Sequence, residues 1–220
     1  MAKHLQKELE RLKKRILSLG AVVEERVRMS TRALEQRDAK SAENIISTDY
    51  EVDEREVEIE EECLKILALH QPVAVDLRFL VAVVKINNDL ERIGDEAVNI
   101  ARCAVLTSRK EPLSDTPDFR VMADKVESML KKSLDALVNL DLDLAFRILT
   151  LDDEVDRMYS AMYDRIKNLI KDHTNRVGSL MNFFLVSRYL ERIADHATNI
   201  AEEVVYMIEG EIVRHGKWDQ

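Results

Sequence analysis

Proline and glycine are scarce in this chain, 3 and 5 among 220 residues. Strand-rich folds need many tight turns, and tight turns draw on these two residues. Their shortage, beside an abundance of Leu, Ala, Glu, Lys and Arg, excludes a sheet-based fold and points to long helices. Positive charge is in deficit as well. The formal net charge is -9, which argues against a nucleic-acid partner. No apolar run approaches 18 residues, so no transmembrane helix is expected. The opening Met1-Ala2-Lys3-His4-Leu5 has no apolar signal region. The expected location is the cytoplasm. Cysteine is limited to Cys63 and Cys103. Neither belongs to a C-x-x-C, so neither suggests zinc or redox work, and a reducing compartment fits.

What is present is apolar periodicity at helical spacing. Leu5, Leu9, Leu12, Ile16, Leu19 and Val23 recur at steps of four and three, predicting a first helix over about residues 3–36. Its first turns are basic (Lys3, Lys7, Arg11, Lys13, Lys14, Arg15), either a solvated face or a contact for an acidic partner or membrane surface. Asp38 is placed to cap a second helix over about 39–69, which carries a dense acidic run to Glu62. His70-Gln71-Pro72 ends it, and Pro72 suits the first turn of a third helix over about 73–107. Ser108 to Asp118 holds two prolines and reads as a linker. Three more helices follow, over about 119–139, 141–171 and 176–209, and a tail from Gly210 is expected to fray.

The last helix of each group of three carries the same motif. Asp89-Leu90-Glu91-Arg92-Ile93-Gly94-Asp95 returns 100 positions later within Leu190-Glu191-Arg192-Ile193-Ala194-Asp195. Asp49-x-Glu51-Val52-Asp53 corresponds to Asp152-x-Glu154-Val155-Asp156. The chain is therefore an internal duplication, and short turns make consecutive helices antiparallel neighbours. The predicted fold is all-α: two tandem three-helix bundles, six long helices, with domains over 1–108 and 116–212.

Residues equidistant from the turn of a helical hairpin lie at equal height. Asp53 with Glu91, and Asp49 with Asp95, are both centred on residue 72. Asp156 with Glu191, and Asp152 with Asp195, are both centred between His173 and Thr174. At 1.5 Å rise per residue, each quartet of carboxylates stands roughly 30 Å from its turn. Residues i and i+4 share a face of a helix, so each helix offers a carboxylate pair. Two readings stay open on spacing alone. The stripes are ion-paired with Arg92, Arg188 and Arg192, or they hold hard or borderline cations. An all-oxygen site is expected in the second case, completed by Asn88, Asn99, Asn199 or water, because His196 points about 100° away from Asp195. By the same arithmetic Cys63 and Cys103 cannot meet within the hairpin.

Leu67-Ala68-Leu69-His70-Gln71-Pro72-Val73-Ala74-Val75-Asp76-Leu77-Arg78, together with the Asp89–Asp95 motif, closely resembles the PhoU family of phosphate-uptake regulators, and the resemblance covers nearly the whole chain. It implies two three-helix bundles and a negative regulator of phosphate uptake and the phosphate regulon. It implies an adaptor in the cytoplasm, peripheral to the membrane, between the ATPase of the phosphate-specific ABC transporter and a sensor histidine kinase. A homodimer is also implied. So are metal clusters on the motifs matched here by Asp49, Asp53, Glu91, Asp95, Asp152, Asp156, Glu191 and Asp195, iron in the first place, with manganese, magnesium or zinc as alternatives. The segment Gln71, Pro72, Asp76 and Arg78 has no counterpart in the second half, which suggests partner docking.

Two other functions compete, a carboxylate-bridged metalloenzyme and a plain helical scaffold. Nothing supplies a nucleophile or a histidine base on the carboxylate stripe, so no enzyme is expected. A Gly-rich phosphate loop is missing too, and an acidic site repels phosphate unless a metal reverses its sign.

Overall fold

The computed structural model describes residues 2–112 and 115–213. Its helices are α1 (Ala2–Gln36), α2 (Ala39–Ser47), α3 (Tyr50–His70), α4 (Ala74–Ser108), α5 (Arg120–Asn139), α6 (Leu142–Asp172) and α7 (Val177–Glu209). A single 3-10 turn, Thr174–Arg176, precedes α7. No strand occurs among the described residues. The first bundle is α1, the α2–α3 rod and α4; the second is α5, α6 and α7. The halves meet where α4 runs along α7 and where α1 touches α5. One continuous apolar core runs through both.

The expected seam of α1 is that core's first wall, with Leu9, Leu12, Ile16, Leu19 and Val23 all buried. Burying such side chains contributes about 1.5–3 kcal/mol each. Arg37, at φ 55°, turns the chain out of α1. Its guanidinium donates to the Thr107 carbonyl at 2.7 Å, supplying a cation at the C-terminus of α4. Asp38 then caps α2 as expected, accepting from the Ser41 N–H at 3.1 Å.

The second predicted helix is interrupted. Thr48 and Asp49 form a turn between α2 and α3. No Gly or Pro marks it. Arg26 on α1, almost fully buried, donates to the Thr48 carbonyl, which the break releases from the helical ladder. Asp49 keeps αR dihedrals, φ -57° and ψ -41°, so it and Asp53 still share a face. The start of the next helix also shifts. Pro72 is buried and precedes α4 instead of opening it, because the chain passes through a left-handed Ala74, φ 49°.

The basic start of α1 and the acidic run of α3 answer one another. Arg15 pairs with Glu58 and Glu62, and Arg11 reaches Glu62 at 3.6 Å. Where α3 crosses α4, an ideal Cβ on Gly94 would lie 3.3 Å from Val52 Cγ1. The missing side chain lets the two helices close at the height of the carboxylates. Cys63 and Cys103 are free, as expected, and both are buried. Burial pushes their thiols up to about 12 and about 11. The expected fraying of the tail falls largely outside the described residues; Gly210, at φ 79°, ends α7.

Candidate functional site

The equal heights become real neighbourhoods. In the first half, the Asp49 carboxyl is pushed above the ordinary range by burial, then by the charges of Asp53 and Asp95. Glu91 is raised by burial, then by Asp95 and Asp53. In the second half, burial followed by Asp195 and Asp156 pushes Asp152 up to about 6. Burial followed by Glu191 and Asp156 brings Asp195 to about 6 as well. Glu191 is raised by burial and then by Asp156. Asp195 keeps considerable solvent exposure, which damps its shift. The better-covered Asp152 states the electrostatic problem more cleanly.

That problem is unneutralised negative charge. Arg92 donates to Asn88 at 3.0 Å. Arg192 pairs with Glu96 at 2.9 Å. Neither of them, nor Arg188, forms an ion pair with the quartets among the described residues. The one such ion pair within 4.0 Å is Arg26 with Asp49, at 3.5 Å. In the second half, Lys125 on α5 engages Glu154. Asp152 forms no ion pair within 4.0 Å among the described residues; the Thr198 hydroxyl bonds its carboxyl, but the buried Oδ1 has no hydrogen-bond partner. A buried carboxylate oxygen without a donor is costly, and a cation is the partner that this all-oxygen donor set fits. The donor chemistry of the quartets suits a hard cation, but no three of their carboxylates bring ligand atoms within 4.8 Å of one another among the described residues.

The asparagines expected to complete the shell are engaged elsewhere. Asn99 donates to Glu96 at 3.1 Å and Asn199 donates to Asp89 at 3.1 Å. Both serve a polar belt along the seam of α4 and α7. Glu96, only 2% exposed, bonds Arg192 across it. Lys85 bonds Glu203 at 2.9 Å. His196 points away from the quartet, as expected, and its Nδ1 lies 2.8 Å from Asp89. The duplication would set Arg92 opposite His196 where it sets Arg192 opposite Glu96. Arg92 turns to Asn88 and His196 to Asp89 instead.

The segment considered for docking divides in two. Pro72 is buried, and the Arg78 guanidinium lies against Gly210, with its Nε buried and unpartnered. Asp76 is half-buried beside a small cleft of about 170 Å³ lined by α1, α4, α7 and the end of α5. Gln71 is exposed, and with it stand Leu69 64%, Val73 74% and Val75 62% exposed. An apolar tip of this kind is unusual in a polar chain.

One group escaped the sequence reading. His4, Glu8 and His70 bring two imidazoles and a carboxylate together, their ligand atoms all within 4.8 Å of one another. They are the one set of three His, Cys, Asp or Glu donors that compact among the described residues. The signal available was His4-x-x-x-Glu8 at i, i+4; nothing in the sequence tied His70 to it.

Both halves match the PhoU domain, over residues 16–104 and 119–204. The phosphate-specific transport system accessory protein PhoU homolog of Clostridium acetobutylicum is 37% identical over 212 residues, covering 96% of this chain and 97% of its own. Its counterpart in Pseudomonas aeruginosa is 36% identical over 209 residues, 94% of this chain and 86% of its own. The crystal structure of PhoU from Pseudomonas aeruginosa matches with a TM-score of 0.89 at 34% identity, over 94% of this chain and 99% of that one. The phosphate transport system regulatory protein PhoU from Streptococcus pneumoniae also gives 0.89, at 32% identity, over 96% of this chain and all of that one.

Proposed function

The chain belongs to the PhoU family, and from that premise we propose that it is an accessory protein of phosphate-specific transport. In this reading it represses phosphate uptake and the phosphate regulon. It acts as an adaptor between the transporter ATPase and a sensor histidine kinase, in the cytoplasm and peripheral to the membrane. No helix among the described residues is long and apolar enough to cross a bilayer. The observation that carries the reading is similarity over nearly the full length to proteins named accessory or regulatory in phosphate transport. The exposed Leu69, Val73 and Val75 at the α3–α4 turn are the surface we assign to the first partner contact. A homodimer belongs to the same reading.

The carboxylate quartets are its metal centres. Asp49, Asp53, Glu91 and Asp95 would hold ions in the first half, and Asp152, Asp156, Glu191 and Asp195 in the second. A bound cation supplies positive charge that relieves the repulsion of each quartet and stiffens the packing of its two helices. The set suits iron or manganese better than a thiolate-seeking metal. The enzymatic reading has less support, since His196, the histidine beside Asp195, is committed to Asp89 on the far side of the helix.

The test is made in cells lacking this gene. Wild type should restore repression of a phosphate-regulon reporter in phosphate-replete medium and should capture the transporter ATPase from membranes. Val73→Asp with Val75→Asp should lose capture and repression while helicity is unchanged. Retained capture would remove the turn from the partner surface, and a reporter indifferent to the wild-type protein would end the regulatory reading.

A further inference from the structure

The compact group between the start of α1 and the end of α3 is chemically unlike the quartets. His4 and Glu8 stand one turn apart on the first turns of α1. His70 is the last residue of α3, which packs beside α1. The chain then turns at once through a left-handed Gln71, φ 45°, into a buried Pro72, so the position of His70 is fixed by the backbone. The His70 Nε2 lies 2.6 Å from one Glu8 oxygen, and His4 Nδ1 lies 3.6 Å from the other. The two rings are 5.7 Å apart between centroids. The His70 and Glu8 side chains are 14% and 23% exposed, whereas His4 is 72% exposed. Two ligands are thus set in the fold, and the third closes over them from solvent.

A pair of imidazoles with one carboxylate is a borderline nitrogen–oxygen donor set. It selects Zn2+ over the hard cations that suit carboxylates alone. Tetrahedral zinc, bound at about 2.0–2.2 Å, holds its ligand atoms roughly 3.3–3.5 Å apart. The donors here already lie within 4.8 Å of one another, so loading needs side-chain adjustment only. Three protein ligands leave the fourth position to water.

We propose that His4, Glu8 and His70 form a Zn2+-binding site that fastens the start of α1 to the α3–α4 turn. The site stands apart from the quartets in place and in chemistry, and it does not depend on the regulatory reading. Zinc bound there ties the first turns of α1 to the backbone that presents Val73 and Val75. It therefore sets how rigidly that exposed tip is held.

The experiment uses the full chain stripped with chelator. Its quartets are disabled by Glu91→Gln, Asp95→Asn, Glu191→Gln and Asp195→Asn. Titrated with Zn2+, this protein should take up one equivalent per chain. The equivalent should be lost on adding His4→Ala and equally on adding His70→Ala, and kept on adding Lys7→Ala. Cobalt in place of zinc should give the visible absorption of a tetrahedral site in the His4-containing protein alone. Failure to bind zinc, or retention of zinc by either histidine variant, overturns the proposal. Should the quartet-disabled chain fail to fold, the comparison moves to wild type against His4→Ala. That exposed position can change without harming the bundle, and an unchanged zinc stoichiometry there would be equally fatal.

Discussion

At the scale of single residues, Asp152 is the most informative group in the molecule. Burial, then the charges of Asp195 and Asp156, push its carboxyl from an ordinary 3.8 up to about 6. Between those two values the folded chain holds a proton that the unfolded chain has released. Stability therefore falls as pH rises through this window. In chelator, the protein should melt higher at pH 5 than at pH 7, and Asp152→Asn should flatten the difference. After solvent screening, the effect of this half-buried group is on the order of 1 kcal/mol. Asp38 and Asp118 are shifted the opposite way, downward, by their bonds to Ser41 and Arg120, and they act at more acid pH. Melting of both proteins across pH 5–7 checks the prediction, and equal slopes would refute it.

At the scale of elements, the seam of α4 and α7 decides how the halves are joined. Glu96 is buried and Arg192 is partly in water, their side chains 3% and 42% exposed. Removing either partner is therefore not equivalent. Arg192→Ala strands a buried carboxylate with only Asn99 beside it and should cost about 3 kcal/mol. Glu96→Gln leaves an arginine that can turn to solvent and should cost less than about 1 kcal/mol. Urea unfolding of the two variants measures the gap. Equal losses would mean that the pair is held by something other than burial of Glu96. Arg26 performs a similar service within the first half, joining α1 to the interrupted rod at Thr48 and Asp49.

At the scale of the whole molecule, metal loading and stability are linked. Four clustered carboxylates repel one another until a cation sits among them. Asp53→Asn with Glu91→Gln relieves the repulsion in the first half, so in chelator this variant should melt no lower than wild type. With iron or manganese added the order should reverse. A ligand at a hundred times its Kd stabilises the folded state by about 2.7 kcal/mol, and the variant forgoes that at one site. Metal content should fall in one half only, with the mirror result for Asp156→Asn with Glu191→Gln. A variant that melts far below wild type in chelator, with no metal-dependent gap, would return the quartets to plain ion pairing.

Much of this architecture is determined by the amino-acid sequence alone. Helical rise is constant and apolar spacing repeats, so the six helical segments, the duplication and the equal heights of Asp53 with Glu91 and Asp156 with Glu191 can be counted along the chain. Partner choice cannot be counted. Arg92, Arg188 and Arg192 are all near enough in sequence to neutralise the quartets. Arg192 instead crosses to Glu96 and Arg92 turns to Asn88, because α7 packs on α4 and rotates those faces away. The interruption at Thr48–Asp49 has no Gly or Pro to announce it; it depends on Arg26 arriving from α1 to take the released carbonyl. His70 meets Glu8 across 62 positions. Periodicity reports which side of its own helix a residue occupies. Which residue of another helix it then meets depends on how the helices pack, and that was decided only in the tertiary structure.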